Sequence, residues 1–332
     1  MDKRCRKISL IMKKNPYISF VIVARNDDYG GNFLHRMNNF AEVLLGLLEK
    51  YSLDSELVII DWNPPKDKEK IADAIIWPTN LKYAKVRFIE VPPELHNQLP
   101  RSEKMPMFEF LAKNVGARRA NGEYVLVTNP DIIFNEELIK FLAKKNLSGN
   151  YFYRIDRYDI PDSVPFGDNI AEILDFSEKN WTKKHTLEGS LNREFPYIDA
   201  GYLRSVLGTL KNRITGSFDT KIHTNASGDF FLMSKDQWEK LKGYPELPLP
   251  CFVDSYLCFI AASSGLFQKI LNKGKRIYHQ SHGSYVNRAK YYNEYQDYKN
   301  CVRKMMKARK PLIINDEKWG LGKEKLTENP LK

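Results

Sequence analysis

The sequence lacks the features that mark disulfide-rich, zinc-binding or membrane-spanning proteins. It has only four cysteines in 332 residues, and they form neither a CxxC pair nor a zinc-ligand spacing. No apolar run approaches the roughly 18 residues of a membrane span. The N-terminal stretch MDKRCRKISLIMKK has a basic start but an apolar patch far shorter than the roughly 7–15 residues of a secretory signal. We therefore expect a cytoplasmic protein with reduced thiols.

Common phosphate-binding signatures are also missing. The chain has no GxxxxGK[ST] loop, and no GxGxxG follows its first predicted strand. It shows no internal repeat and no low-complexity tract. If a nucleotide binds, its phosphates must therefore be held by another device, and a divalent metal is one such device.

The charge is unbalanced, with a formal net charge of +11. Part of it lies at the ends, in residues 1–14 and in KNCVRKMMKARK (299–310). Such segments attract anionic lipid, phosphorylated substrates or nucleic acid, or they are simply solvated. No RNA-binding motif accompanies them, so we expect no nucleic-acid partner but allow peripheral association with an anionic membrane.

The first half of the chain alternates strand and helix patterns. Apolar runs predict strands at 17–25, 55–61, 84–91 and 123–128, and helical spacing or stop signals predict helices at 33–51, 67–77 and 107–121. This βαβαβαβ order predicts an α/β fold with a mainly parallel sheet. Ligands of such sheets lie beyond the carboxyl ends of the strands.

The second half is less regular. It predicts helices at 136–145 and 254–265, a strand-like run at 150–161, a strand and helix at 228–246, and a strand running into a loop at 275–285. Residues 161–220 are polar and predicted irregular. We expect one domain over 17–290, with a nucleotide-binding half (17–135) and an acceptor half (136–290). The flanking regions 1–16 and 291–332 are predicted to be basic tails, the second one helical.

An acidic residue interrupts the apolar run GEYVLVTNPDIIF (122–134). A bare carboxylate is costly to bury there unless a cation, a backbone turn or a metal meets it. Asn129-Pro130-Asp131 is by itself most simply a turn. Its place at a strand end also suits a carboxylate that holds Mn²⁺ or Mg²⁺ against a diphosphate, because hard ions prefer oxygen ligands.

The segments VIVARN, VIIDWNPP and KNVGARRANGEYVLVTNPDI together resemble glycosyltransferase family 2, which has the GT-A fold. The resemblance covers roughly residues 17–285. It implies a metal-dependent transfer from a nucleotide-sugar donor, UDP more than GDP, to a glycan or lipid-linked acceptor. The implied donor-site residues are Ala24, Arg25, Asn26, Asp28, Asp61, Asn114, Arg118, Asn129 and Pro130. The chain departs from the family where Asn129 replaces the first Asp of the DXD-type motif.

The same resemblance supplies the expected acceptor side and the catalytic base. HTNASGDFF is similar to the family's acceptor stretch and suggests His223, Asn225 and Asp229 as acceptor or sugar contacts. FVDSYLCFIAASSG is similar to a helix start that carries the base, with Asp254 kept. A helix cap is an equally good interpretation of Asp254.

The stretch YHQSHGSY resembles the family's late histidine that completes metal binding, which makes His279 and His282 candidate partners of Asp131. At odd separation on a strand they would point to opposite faces, so we expect one direct ligand, His282, and one structural histidine.

Three other functions stay open at this point. A nucleotidyltransferase acting on sugar phosphates would also join an α/β sheet to metal-held phosphates. A non-enzymatic polyanion-binding protein would explain the charge. A degenerate glycosyltransferase would bind donor without turnover.

Overall fold

The computed structural model describes residues 15–167, 169–194, 222–249, 251–283 and 291–331. Almost all of the predicted N-terminal tail and the 195–221 part of the predicted irregular segment lie outside these ranges. The strands are β1 (Ile18–Ala24), β2 (Ser55–Trp62), β3 (Ala84–Val91), β4 (Tyr124–Val127), β5 (Ile132–Phe134), β6 (Tyr151–Ile155), β7 (Arg157–Ile160), β8 (Lys183–Thr186), β9 (Gly189–Asn192), β10 (Phe231–Ser234), β11 (Phe267–Leu271), β12 (Ile277–Gln280) and β13 (Thr327–Pro330). The helices are α1 (Phe33–Lys50), α2 (Ile71–Ala74), α3 (Pro93–His96), α4 (Glu109–Arg119), α5 (Glu136–Ala143), α6 (Ile170–Lys179), α7 (Lys235–Leu241), α8 (Val253–Ser263) and α9 (Tyr292–Ala308).

The larger sheet has the strand order β11-β6-β10-β4-β1-β2-β3-β13. Its centre, β4-β1-β2-β3, is parallel, and β10 and β13 run antiparallel to their neighbours. β1 and β2 are buried along their whole length, as near-continuous apolar strands of a covered parallel sheet should be. The predicted α/β alternation is therefore confirmed, and the carboxyl ends of β1, β2 and β4 meet at one edge.

Helices cover both faces of this sheet. The apolar stripe of α1, which includes Met37, Phe40 and Leu44, is fully buried in one core cluster together with Phe20. On the other face α4 comes so close that a Cβ on Gly116 would lie 2.3 Å from Val21 Cγ1. The Gly116 position is therefore explained by close helix–sheet packing.

A smaller sheet has the order β5-β12-β7-β8-β9. β12 lies between β5 and β7, so that His279 is opposite Ile132 on one side and Asp159 on the other. This sheet brings residues from four distant parts of the sequence to one edge of the domain.

Two local predictions are wrong in extent. The helix expected over 67–77 is confined to Ile71–Ala74. The described part of 161–220, expected to be irregular, contains α6 and the β8–β9 hairpin. Those two strands, KKHT and GSLN, are short and polar, so they carry no apolar alternation by which a sequence pattern could find them.

The predicted C-terminal tail is helical only over α9. The chain then packs back on the domain, where Trp319 is buried and β13 pairs with the edge strand β3. β13 gave no sequence signal because its four residues are exposed and it joins the sheet through its backbone. Within the described ranges no helix is long and apolar enough to cross a membrane.

Candidate metal and donor site

Two histidines converge on Asp131, which lies just past the carboxyl end of β4. His282 Nε2 is 3.2 Å from Asp131 Oδ2, and His279 Nε2 is 3.8 Å from the same oxygen. One ligand atom from each of the three residues lies within 4.8 Å of the others. The expectation of opposite faces is wrong because β12 ends at Gln280, and His282 lies beyond the strand.

These three residues fit a divalent metal. Asp131 is 9% exposed, and its Oδ1 is buried without a hydrogen-bond partner. A half-satisfied buried carboxylate is costly unless a cation meets it. One carboxylate and two imidazoles suit Mn²⁺ and related first-row ions better than Mg²⁺, which prefers all-oxygen ligands.

The charge state of Asp131 also suits a cation. Burial by itself raises the pKa of Asp131, but His279, His282 and the Arg36 guanidinium outweigh burial and lower the pKa to about 2. The hydrogen bond to Asp131 raises the pKa of His282. Asp131 is therefore ionised at neutral pH and available as a ligand.

The loop between β1 and α1 closes over His282. Gly283 N donates to Gly30 O at 3.3 Å, and the Tyr29 ring meets the His282 ring edge-on at 5.3 Å. Gly30 has φ +73°, and a Cβ there would lie 2.5 Å from His282 Nδ1. The buried Arg36 holds this loop by donating to its backbone carbonyls. A glycine is thus required where the loop meets the metal cluster.

Asp61, at the end of β2, is a second half-satisfied carboxylate. It is 4% exposed; its Oδ2 accepts from Ile71 N at 3.3 Å, and its Oδ1 is buried without a hydrogen-bond partner. Burial, with Glu90 nearby, raises the pKa of Asp61 to about 6. A ligand that donates a hydrogen bond to Oδ1 would relieve the cost of burying this group.

The neighbouring strand end carries Ala24 and Arg25. Ala24 lies directly opposite Asp61 in the parallel register. Arg25 donates Nε to Asn63 O at 2.8 Å and pairs with Asp27. The predicted donor residues of β1 and β2 therefore lie side by side at neighbouring strand ends.

Asn26 and Asp28 have local partners. Asn26 Nδ2 donates to Glu69 O at 2.9 Å. Asp28 Oδ1 accepts from Phe33 N at 2.9 Å, which caps the start of α1. These contacts favour a loop-shaping role for both residues.

Asn129 links the end of β4 to the loop before β10. Its Nδ2 donates to Asp229 Oδ1 at 2.7 Å, and Thr128 Oγ1 donates to Asp229 O at 2.7 Å. Arg157 Nη1 occupies the other carboxylate oxygen of Asp229 at 2.6 Å. Pro130, buried between Asn129 and Asp131, turns the chain toward β5. Both carboxylate oxygens of Asp229 therefore have partners, and one of them holds the Asn129 side chain in place.

Asp254 lies in the first turn of α8 and is held next to this link. Its Oδ2 accepts from Ser227 Oγ at 2.7 Å and from Gly228 N at 2.9 Å. The fully buried Lys113 donates to Gly228 O at 2.9 Å. Hydrogen bonds therefore hold both the N–H and the carbonyl of Gly228. Since Gly228 precedes Asp229, Asp254 and Asn129 bind adjacent residues.

Two predicted acceptor residues shape the loop before β10. His223 is completely buried, with Nε2 at 3.2 Å from Asp156 Oδ1. Asn225 Nδ2 donates to Thr186 O at 2.6 Å. The buried Arg154 donates to the carbonyls of both residues. The buried imidazole of His223, paired with Asp156, favours a structural role for this residue over a direct acceptor contact.

Asn114 and Arg118 bind the protein rather than the cluster. Asn114 donates to Tyr244 O at 2.8 Å and to Glu246 Oε1 at 2.9 Å. Arg118 donates to Trp319 O at 3.1 Å and lies over the Trp319 ring. These contacts tie α4 to the C-terminal half and occupy side chains that were expected at the donor site.

Sequence reasoning missed a layer of charged residues behind the cluster. Arg157 Nε is 2.9 Å from Asp159 Oδ1, and His185 Nε2 is 2.9 Å from Asp159 Oδ2. The available signal was the spacing of Arg157 and Asp159, because residues i and i+2 of a strand share a face. His185 had no signal, since β8 was not predicted.

No protein-family model and no curated protein sequence matches the chain. Among solved structures it is similar to TarS residues 1–349 of S. aureus, at 15% identity and a TM-score of 0.42, over 91% of this chain and 68% of that one. It is similar to the mannosyltransferase PcManGT of Pyrobaculum calidifontis, solved with GDP-Man and Mn²⁺, at 13% identity and 0.40, over 90% and 64%. It is also similar to GalNAc-T7, solved with UDP, GalNAc and Mn²⁺, at 15% identity and 0.46, over 91% and 53%. The chain thus spans from about half to about two thirds of these chains.

Proposed function

We propose that the protein is a metal-dependent glycosyltransferase that moves a sugar from a nucleoside diphosphate sugar to an acceptor hydroxyl. The observation that carries the proposal is the Asp131–His279–His282 cluster at the carboxyl ends of parallel strands. Ligands of open α/β sheets bind at this edge. The half-satisfied Asp61 lies at the neighbouring strand end, and Asp254 is fixed beside the Asn129–Asp229 link.

The donor nucleoside is proposed to lie over the ends of β1 and β2. A ribose hydroxyl or a base N–H that donates to Asp61 Oδ1 would satisfy that buried atom. Arg25 next to it supplies a positive charge for the diphosphate. We favour UDP over GDP on the family resemblance of the sequence.

The diphosphate is proposed to lie at the metal cluster. Asp131, His279 and His282 would hold Mn²⁺ or Mg²⁺, and the bound ion supplies positive charge against the charge that develops on the leaving diphosphate. The loop that carries Gly30 covers His282 and limits water at this point.

Asp254 is proposed to take the proton from the acceptor hydroxyl. Two hydrogen bonds, from Ser227 Oγ and Gly228 N, both fall on its Oδ2 and hold the carboxylate in place. A base with one fixed oxygen presents the other in a defined direction. Direct attack by the activated hydroxyl on the anomeric carbon inverts its configuration.

The acceptor is proposed to be a growing glycan or a lipid-linked sugar. The basic residues of α9 and the segment that follows it give the protein a positive surface, which favours peripheral contact with anionic lipid.

The test is a turnover assay with Mn²⁺ and one of four donors: UDP-glucose, UDP-N-acetylglucosamine, UDP-galactose or GDP-mannose. Each donor is tested with water alone and with an oligosaccharide mixture as the acceptor. We expect nucleoside diphosphate release from one donor and a loss of roughly 10²-fold or more in Asp254→Asn, as for removal of a general base. Asp236→Asn is the matched control, because Asp236 is an exposed first-turn acid of α7. No release from any donor, or pyrophosphate release from a nucleoside triphosphate and a sugar phosphate instead, contradicts the proposal.

A further inference from the structure

A buried ring nitrogen faces a buried carboxylate oxygen behind the metal cluster. His279 Nδ1, which makes no hydrogen bond to the described residues, lies 3.5 Å from Asp159 Oδ1, the oxygen that also forms the ion pair with Arg157. The register of β12 against β7 places the two residues directly opposite each other. A ring N–H can donate to a carboxylate oxygen, so a small closing movement would give His279 Nδ1 a hydrogen-bond partner.

Asp159 is itself held in place. Arg157 Nε is 2.9 Å from its Oδ1, and His185 Nε2 is 2.9 Å from its Oδ2. Ser190 Oγ lies 2.8 Å from the other ring nitrogen of His185. A carboxylate that is fixed in this way can orient an imidazole.

The second histidine of the cluster has the same arrangement with a different acceptor. His282 Nδ1 lies 2.7 Å from Gly283 O, and its Nε2 faces Asp131. A backbone carbonyl only accepts, so Nδ1 carries a proton, and Nε2 is the nitrogen that a metal beside Asp131 would use. His279 also faces Asp131 with its Nε2 atom.

We infer that Asp159 is a positioning residue of the metal site and acts through His279. It accepts the Nδ1–H of His279, so that Nε2 is the nitrogen left to bind a metal beside Asp131. Metal-binding histidines commonly need such a partner, and its loss costs about 10–100-fold in metal affinity. The effect of Asp159 on metal binding rests on the proposed function. The tautomer of His279 does not, because it can be observed in the protein without metal.

The first test therefore needs no metal. Long-range ¹⁵N–¹H correlation spectra of the protein labelled at histidine, recorded at a pH where the imidazole is neutral, identify the protonated nitrogen. We expect His279 to be the Nδ1–H tautomer in the wild type and to lose that preference in Asp159→Ala. An Nε2–H tautomer in the wild type overturns the inference.

The second test measures Mn²⁺ binding by electron paramagnetic resonance, with and without UDP. We expect about 10–100-fold weaker binding in Asp159→Ala and partial recovery in Asp159→Asn, whose amide oxygen still accepts. Asp156→Ala is the matched control: Asp156 lies on the same segment and pairs with Lys184 and His223, and it should keep wild-type affinity. Melting temperatures show that the variants fold.

The outcomes separate the two proposals. Wild-type Mn²⁺ binding that Asp131→Ala abolishes but Asp159→Ala leaves unchanged overturns the role of Asp159 and leaves the metal site standing. Equal weakening in Asp156→Ala and Asp159→Ala overturns it too, because a merely structural effect explains that result. No Mn²⁺ binding by the wild type, with His279 in the Nδ1–H tautomer, contradicts the proposed function while the Asp159–His279 contact stands.

Discussion

At the scale of single residues, the site is marked by buried carboxylates that the protein does not fully satisfy. Asp61 and Asp131 each leave one oxygen without a partner, whereas Asp229 has both of its oxygens paired. Leaving such atoms unpaired lowers the stability of the free protein. That cost is characteristic of positions selected for ligand binding rather than for stability.

Asp61→Asn is expected to stabilise the free protein at neutral pH. Because the folded pKa of Asp61, about 6, lies above its unfolded value, the folded state binds the extra proton between about pH 4 and pH 6. Wild-type stability should therefore fall as pH rises through this window, by at most on the order of 3 kcal/mol, and the variant should lose this dependence. Urea unfolding from pH 4 to pH 7.5 measures it.

The exposed Asp67 provides the control, since Asp67→Asn should leave the pH profile of stability unchanged. The same Asp61→Asn protein should bind its nucleoside diphosphate more weakly. A variant that is less stable than the wild type at pH 7.5 would show that the buried carboxylate is satisfied in a way the structure does not contain.

At the scale of elements, the site is made by strand ends and by one glycine loop. The four parallel strands and the position of Asp131 follow from apolar runs that end in polar residues. The β8–β9 hairpin does not follow, because short polar strands depend on pairing with β7. His185 and its contact with Asp159 were therefore invisible in the sequence.

Gly30→Ala is expected to weaken Mn²⁺ binding by roughly tenfold or more, because the new Cβ displaces His282. Gly31→Ala is the matched control. Gly31 has a similar left-handed φ of +78°, but its Cβ would meet nothing within 4 Å. Both variants should lose about 1–2 kcal/mol of stability from the left-handed backbone, and only Gly30→Ala should lose metal. Equal metal affinity in the two variants, measured by Mn²⁺ titration, would contradict the close contact.

At the scale of the whole molecule, contacts far apart in sequence decide which predicted residues reach the site. The sequence motifs correctly bring Ala24, Asp61 and Asp131 to one sheet edge. They place Asn114 and Arg118 there as well, but the structure engages these two with residues 244–246 and Trp319. A local motif carries no information about a partner that lies between 130 and 201 residues away.

The central claim is that this sheet edge binds a nucleoside diphosphate through a metal held by Asp131. The most direct measurement is a thermal-shift panel of UDP, GDP, CDP, ADP and TMP, with and without Mn²⁺, on the wild type and on Asp131→Ala. A ligand at about 100 times its Kd stabilises the folded state by about 2.7 kcal/mol, enough to raise the melting temperature clearly. The account predicts a rise that needs both one diphosphate and Mn²⁺ and is absent in Asp131→Ala. No rise with any nucleotide, or the same rise in Asp131→Ala, would contradict it.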